Sequence, residues 1–70
     1  MITENDIRLG KKIKKCRKEF DLTQEQLAEG LKLSTKYIQF METGNRRPSL
    51  KTIYKIARFF KMKVRDLFVF

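Results

Sequence analysis

Apolar residues recur along this chain with a period near 3.6 and nowhere with a useful period of two, which predicts helices and no sheet. Leu9, Ile13, Cys16 and Phe20 fall within about 60° of one another on a helical wheel and form the expected buried face of a first helix, Asp6 to Phe20. Thr3 and Asn5 are both competent to cap it. Ile7 falls on the opposite side of that wheel. A second helix is expected from Gln24 to Leu31: Thr23 is its N-cap, Gln26 completes a capping box, and Leu27, Ala28 and Leu31 form one apolar stripe. Ser34 caps a third helix, Thr35 to Thr43, with Ile38 and Met41 inward and Gly44 as a left-handed stop. Only Leu31 to Leu33, about three residues, remain for the turn between them, so the two helices must cross steeply. Asn45 to Pro48 is a loop in which Pro48 holds Arg47 extended. Ser49 caps a fourth helix whose Leu50, Ile53, Ile56, Ala57 and Phe60 share a face, and Val64 to Phe68 is a short fifth.

The order and spacing of these residues resemble the Cro and phage-repressor type of helix-turn-helix, the XRE-like family. The resemblance runs from Leu9 to Phe68. It includes L-G-x-x-I-x-x-x-R at Leu9, Gly10, Ile13 and Arg17, then Leu22-Thr23-Gln24 and Leu27-Ala28. It continues with Ser34, Ile38, Glu42 and Gly44, then Pro48-Ser49-Leu50, Ile56-Ala57 and Leu67-Phe68. The family's fold implies one all-α domain over residues 1–70, a compact five-helix lambda-repressor-like DNA-binding domain. Its helix-turn-helix core is residues 23–43, and its recognition helix, about 35–43, lies in the major groove of double-stranded DNA. The resemblance further implies phosphate contacts from Gln24, which opens helix two, and from Thr43, Asn45 and Arg46 around the loop after helix three. It also implies an ion pair between Arg17 and Glu42. The chain departs from the family at Asp21, Lys32 and Lys61, where glycine is frequent, at Cys16, where leucine is usual, and at Lys63, where a cap serine is frequent. If the turn at Lys32 needs a positive φ, lysine is strained there relative to glycine.

Charge and composition narrow the chemistry. Seventy residues make one domain, which buries only about 60% of its unfolded surface. With 41% hydrophobic and 36% charged residues the chain is globular rather than disordered. A formal charge of +9 calls for an acidic partner, nucleic acid or anionic membrane. No apolar run approaches ~20 residues, and MITENDIRLG has no apolar signal core, so neither membrane insertion nor secretion is expected. One cysteine and no histidine exclude a Cys/His zinc site and histidine acid–base catalysis, and no metal or cofactor is implied. No nucleophile–base pair or glycine-rich phosphate loop appears, so an enzyme is not expected, and no small-molecule ligand is evident. Cys16 reads as a core residue in a reducing cytoplasm, and the resemblance implies that this cytoplasm is bacterial or that the protein is phage-encoded.

The outer face of helix three carries the candidate base-reading groups. With Ile38 at 0°, Met41 and Glu42 face the core, Lys36 and Phe40 point furthest away, and Tyr37 and Gln39 flank them at about ±100°. An outward Phe is costly in water, which singles out Phe40. In a major groove Gln39 suits an adenine edge, Lys36 guanine acceptors or a phosphate, and Phe40 a thymine methyl; Thr35, at the helix start, completes the set. The run Arg8 to Lys18 has seven cations and no acid, mostly a solvated face that raises non-specific DNA affinity. At the other end, Phe59, Leu67, Phe68 and Phe70 exceed what so small a core can hide and suggest a homodimer contact within residues 59–70. A dimer places two recognition helices about 34 Å apart on a two-fold symmetric operator. The expected function is sequence-specific regulation of transcription, its occupancy set by the protein's own concentration or by another protein. The alternative is an antitoxin-like or other protein-interaction module.

Overall fold

The first helix starts earlier than its apolar stripe does. Thr3 Oγ1 accepts a hydrogen bond from the Asp6 amide at 3.1 Å, and the Asp6 carboxylate accepts one from the Thr3 amide at 2.9 Å. This reciprocal cap selects Thr3 over Asn5 and makes α1 Glu4–Glu19. In the computed structural model, which describes residues 2–69, α2 (Gln24–Leu31), α3 (Thr35–Glu42) and α4 (Leu50–Phe59) follow, and no strand occurs among those residues. Val64–Phe68 is a 3-10 helix, so four α-helices and one tighter turn replace the five helices expected.

All four α-helices stop in the same way. Each enters a residue with φ between 55° and 82°: Asp21, Lys32, Gly44 and Lys61. The following amide then reaches back to close the end: Leu22 to the Arg17 carbonyl, Leu33 to Ala28, Asn45 to Phe40 and Met62 to Ala57, all within 3.1 Å. In three of the four, the residue after the stop (Leu22, Leu33, Met62) packs against the core, the hydrophobic contact that accompanies such motifs. Only α3 needs glycine. A Cβ at Gly44 would lie 2.8 Å from Ile7 Cγ1 and 2.9 Å from Ile7 Cα, whereas Asp21, Lys32 and Lys61 are exposed. The same contact explains Ile7, which faces away from the stripe of its own helix because it covers the end of α3.

The core gathers the inward faces of all the helices, with Ile13, Leu27, Ile38, Ile56 and Leu67 fully enclosed. Two expected core residues lie outside it. Phe20 is 47% exposed: it sits at the cap of α1, where the chain turns, and lays its ring edge-on against Phe60 at 5.0 Å. Leu50 is 64% exposed because the first turn of α4 lies beyond the core, which the helix meets only from Thr52 and Ile53 onward. α1 crosses α3 at Gly10, where an added Cβ would stand 2.2 Å from the Met41 carbonyl oxygen and 2.9 Å from that of Glu42.

Candidate nucleic-acid interface

The recognition helix is short, so its position depends on what holds its ends. At its start, Ser34 Oγ accepts from the Tyr37 amide at 3.0 Å. At its other end Glu42 brings a carboxylate to the negative pole of the helix, where the dipole disfavours it. Arg17 compensates: Nε donates to Oε2 at 2.7 Å and a terminal nitrogen to Oε1 at 3.2 Å. Gln24 Nε2 adds a third bond to Oε1 at 3.0 Å. Arg17 also donates to the Leu22 carbonyl at 2.7 Å. The Arg17 and Glu42 side chains are only 10% and 2% exposed. One carboxylate thus ties together α1, the start of α2 and the end of α3.

Held this way, α3 exposes Lys36, Gln39 and Phe40, and the Phe40 side is 43% accessible. Thr35 and Tyr37 are half-buried, and Tyr37 packs against the core. The loop that follows folds back onto the same helix. The amides of Asn45 and Arg46 both donate to the Phe40 carbonyl, at 2.8 and 3.1 Å. Thr43 Oγ1 donates to the Gln39 and Phe40 carbonyls, at 3.1 Å each, and accepts from Asn45 Nδ2 at 2.9 Å. The Arg46 guanidinium lies 5.0 Å over the Tyr37 ring, which fixes its direction and leaves its charge unneutralised. The structure therefore brings Thr43, Asn45 and Arg46 to one end of α3, next to the outward residues. Gln24 stands beside them, with its amide nitrogen engaged by Glu42.

Arg47 behaves differently from its neighbour. Its guanidinium forks onto Asp6, at 2.9 and 3.1 Å, pinning the loop to the start of α1. That arginine, helped by the Thr3 amide, holds the Asp6 carboxyl well below the usual carboxylate range. The pair joins residues 41 apart, and nothing in the local pattern of either segment signals it. Among the residues expected at a dimer contact, Leu67 is wholly enclosed within the single chain and is not available to a partner. Phe59 is half-buried, edge-on to Phe60 at 5.3 Å and against Gly30. Phe68 is exposed, and Phe70 lies outside the described residues. Cys16 is buried 4.0 Å from Met62 Sδ, and burial pushes its thiol up. Among the described residues no His, Cys, Asp and Glu group has the arrangement of a metal site, and no helix is long and apolar enough to cross a membrane.

An outward helix face that carries Lys36, Gln39 and Phe40, braced by a buried ion pair and flanked by a loop arginine, is the arrangement of a groove-reading protein. The helix-turn-helix family model matches residues 13–67. An uncharacterized HTH-type transcriptional regulator of Archaeoglobus fulgidus is 46% identical over 59 residues, which cover 84% of this chain and 83% of that protein. Among solved structures, the restriction-modification controller protein C.AhdI of Aeromonas hydrophila superposes with a TM-score of 0.88 at 30% identity, covering 94% of this chain and all of that one. SinR, a master regulator for biofilm formation solved in complex with DNA, gives a TM-score of 0.78 at 27% identity, over 84% of this chain and 95% of that one. The chain belongs to the helix-turn-helix family of transcriptional regulators. Its relatives are archaeal as well as bacterial, so kinship does not single out a bacterial or phage source.

Proposed function

We propose that this protein is a sequence-specific regulator of transcription that acts in the cytoplasm by placing α3 in the major groove of double-stranded DNA. The observation that carries the reading is the contrast between the two sides of α3. One side is locked to α1 and α2 through Glu42, and the other offers Lys36, Gln39 and an uncovered Phe40. Such a Phe is unfavourable in water and suited to a thymine methyl. Thr35 and Tyr37 border the base-reading face. Gln24, Thr43, Asn45 and Arg46 hold backbone phosphates, Arg46 with its charge intact above Tyr37. The function needs no catalytic group, metal or cofactor. Two copies associate through the exposed apolar residues near the C-terminal end, Phe68 foremost, and so read a two-fold symmetric operator.

The experiment is selection of binding sites from random duplexes, followed by fluorescence anisotropy on the selected and a scrambled duplex at several salt concentrations. Gln39→Ala costs about 1–3 kcal/mol on the selected site and little on the scrambled one. Arg46→Ala weakens both alike and flattens the slope of log affinity against log salt by about 0.9 per subunit. If neither substitution changes affinity for any duplex, this face is not the DNA surface, and a protein-interaction module becomes the better reading. Sedimentation at micromolar concentration tests association: a chain that stays monomeric, with or without DNA, refutes the dimer.

A further inference from the structure

The positive charge of this protein does not lie on its base-reading unit. Residues 24–42, which carry α2, the turn and α3, hold three carboxylates against two lysines. α1 alone holds seven cations against three carboxylates. Two of those cations are engaged, Arg17 by Glu42 and Arg8 by Glu4. Lys11, Lys14, Lys15 and Lys18 follow at i, i+3, i+4 and i+7. They form one exposed row opposite Leu9, Ile13 and Cys16 and line a shallow groove whose one carboxylate is Glu19. Among the described residues none of the four takes part in an ion pair.

Helix propensity favours lysine at exposed positions, but it favours glutamate and glutamine equally and gives no reason for four like charges in one row. Like charges three and four residues apart on a helix repel and destabilise it. The helix dipole favours only Lys18, in the last turn. The groove seating of α3 gives no reason either. α1 packs on the core-facing side of α3, with Gly10 against the backbone of Met41 and Glu42. The lysine row and the outward face of α3 therefore look away from the core in different directions.

We propose that this row is a second, sequence-blind contact for the phosphate backbone of double-stranded DNA, outside the base-reading surface. The proposal rests on the DNA-binding reading above and extends it to a separate face. From Lys11 to Lys18 the row runs about 10.5 Å at 1.5 Å per residue, the axial rise of about three phosphates of one strand of a duplex lying along it. Ammonium groups on flexible stems meet phosphates as point charges, with no geometry that distinguishes bases.

The test compares two variants that each lose four charges. One replaces Lys11, Lys14, Lys15 and Lys18 by Gln. The other replaces Lys51, Arg58, Lys61 and Lys63, four exposed cations of α4 and the segment after it, outside the row. Both are titrated by anisotropy against a random-sequence duplex from 50 to 200 mM salt, and thermal melting verifies that each is folded. The row variant is expected to melt no lower than the wild type, to bind at least ten-fold more weakly at 50 mM salt, and to show a log–log salt slope shallower by about 2–3. The control variant loses less affinity, with a slope change below about 1. Equal losses in the two variants overturn the proposal, because net charge alone then explains the binding. So does a row variant that binds DNA like the wild type but no longer binds vesicles of anionic phospholipid, which assigns the row to membranes. Preference for a selected operator over the random duplex is read separately. Its absence in the wild type removes the base-reading assignment and leaves the comparison of the two variants intact.

Discussion

Replacing Arg17 by Met removes a charge while keeping most of the stem that packs beneath it. Glu42, 2% exposed, is then left with a single donor, Gln24, and the Leu22 carbonyl loses its side-chain partner. Because both side chains are nearly out of water, solvent does little to screen the stranded charge, and the upper range for a broken buried pair applies, about 3–5 kcal/mol. A domain of this length has a total stability of only about 3.5–10 kcal/mol. The expected fall in melting temperature is at least about 12 °C, at roughly 4 °C per kcal/mol for a small domain. Glu42→Gln likewise strands the Arg17 charge and turns an amide NH2 toward one of the donors that both carboxylate oxygens now accept from, so it costs a comparable amount, about 3–5 kcal/mol. The double variant removes both charges and is less damaged than the sum, with a coupling of at least about 1.5 kcal/mol. The assay is urea unfolding followed by far-ultraviolet circular dichroism, with a constant slope required so that midpoints report stability. Trimethylamine N-oxide at fixed concentration keeps the weakest variant folded in water. A coupling below about 0.5 kcal/mol refutes the claim that one carboxylate holds three helices together.

The three non-glycine helix stops leave stability unused. Lys32→Gly and Lys61→Gly each raise it by about 0.5–1 kcal/mol in urea unfolding, and Asp21→Gly by less because aspartate tolerates the left-handed region. A lower midpoint for either lysine variant contradicts the backbone assignment. Gly10→Ala drives its Cβ into the backbone of Met41 and Glu42 and costs about 1–3 kcal/mol or more, while Gly30→Ala meets only the movable Phe59 ring and is neutral or stabilising by thermal melting. Equal effects at the two glycines refute that distinction. Asp6→Asn tests the link to Arg47 through pH. The Asp6 carboxyl is held below its unfolded value of about 3.9, so its contribution is present above that pH and is lost as pH falls through the folded value. The gap between wild-type and Asp6→Asn midpoints therefore narrows below about pH 4, and a constant gap from pH 7 to pH 2 rules the pair out as a stabilising contact.

What the sequence made legible is what local chemistry decides. Thr23, Ser34 and Ser49 stand where their side chains cap the next helix, and the bounds of α2 follow from its cap and stripe without further information. The outward direction of Lys36, Gln39 and Phe40 follows from helical periodicity alone. The pairing of Arg17 with Glu42 came from the resemblance, and the third partner, Gln24, came from neither source. Its role depends on how steeply α2 meets α3, which is a tertiary fact. Periodicity also misplaced Phe20 and Leu50, for one reason: both lie at the end of an element, where a wheel still assigns a face but the chain has left the core. Asp6 with Arg47, and Ile7 over Gly44, are contacts between segments about 40 residues apart, beyond any local rule.

The three-donor clamp on Glu42 has a consequence for motion. An eight-residue helix is unstable in isolation, and α3 carries a carboxylate at its unfavourable pole and no base in its last turn. It persists only while α1 and α2 are docked against it. α3 is therefore expected to open together with its contacts to α1 and α2, and amide exchange of α3 as slow as that of the core helices is the measurement that checks this. With such an opening the chain cannot present a loosened reading head on an intact body, so whenever it is folded the geometry it offers to a base edge is the finished one.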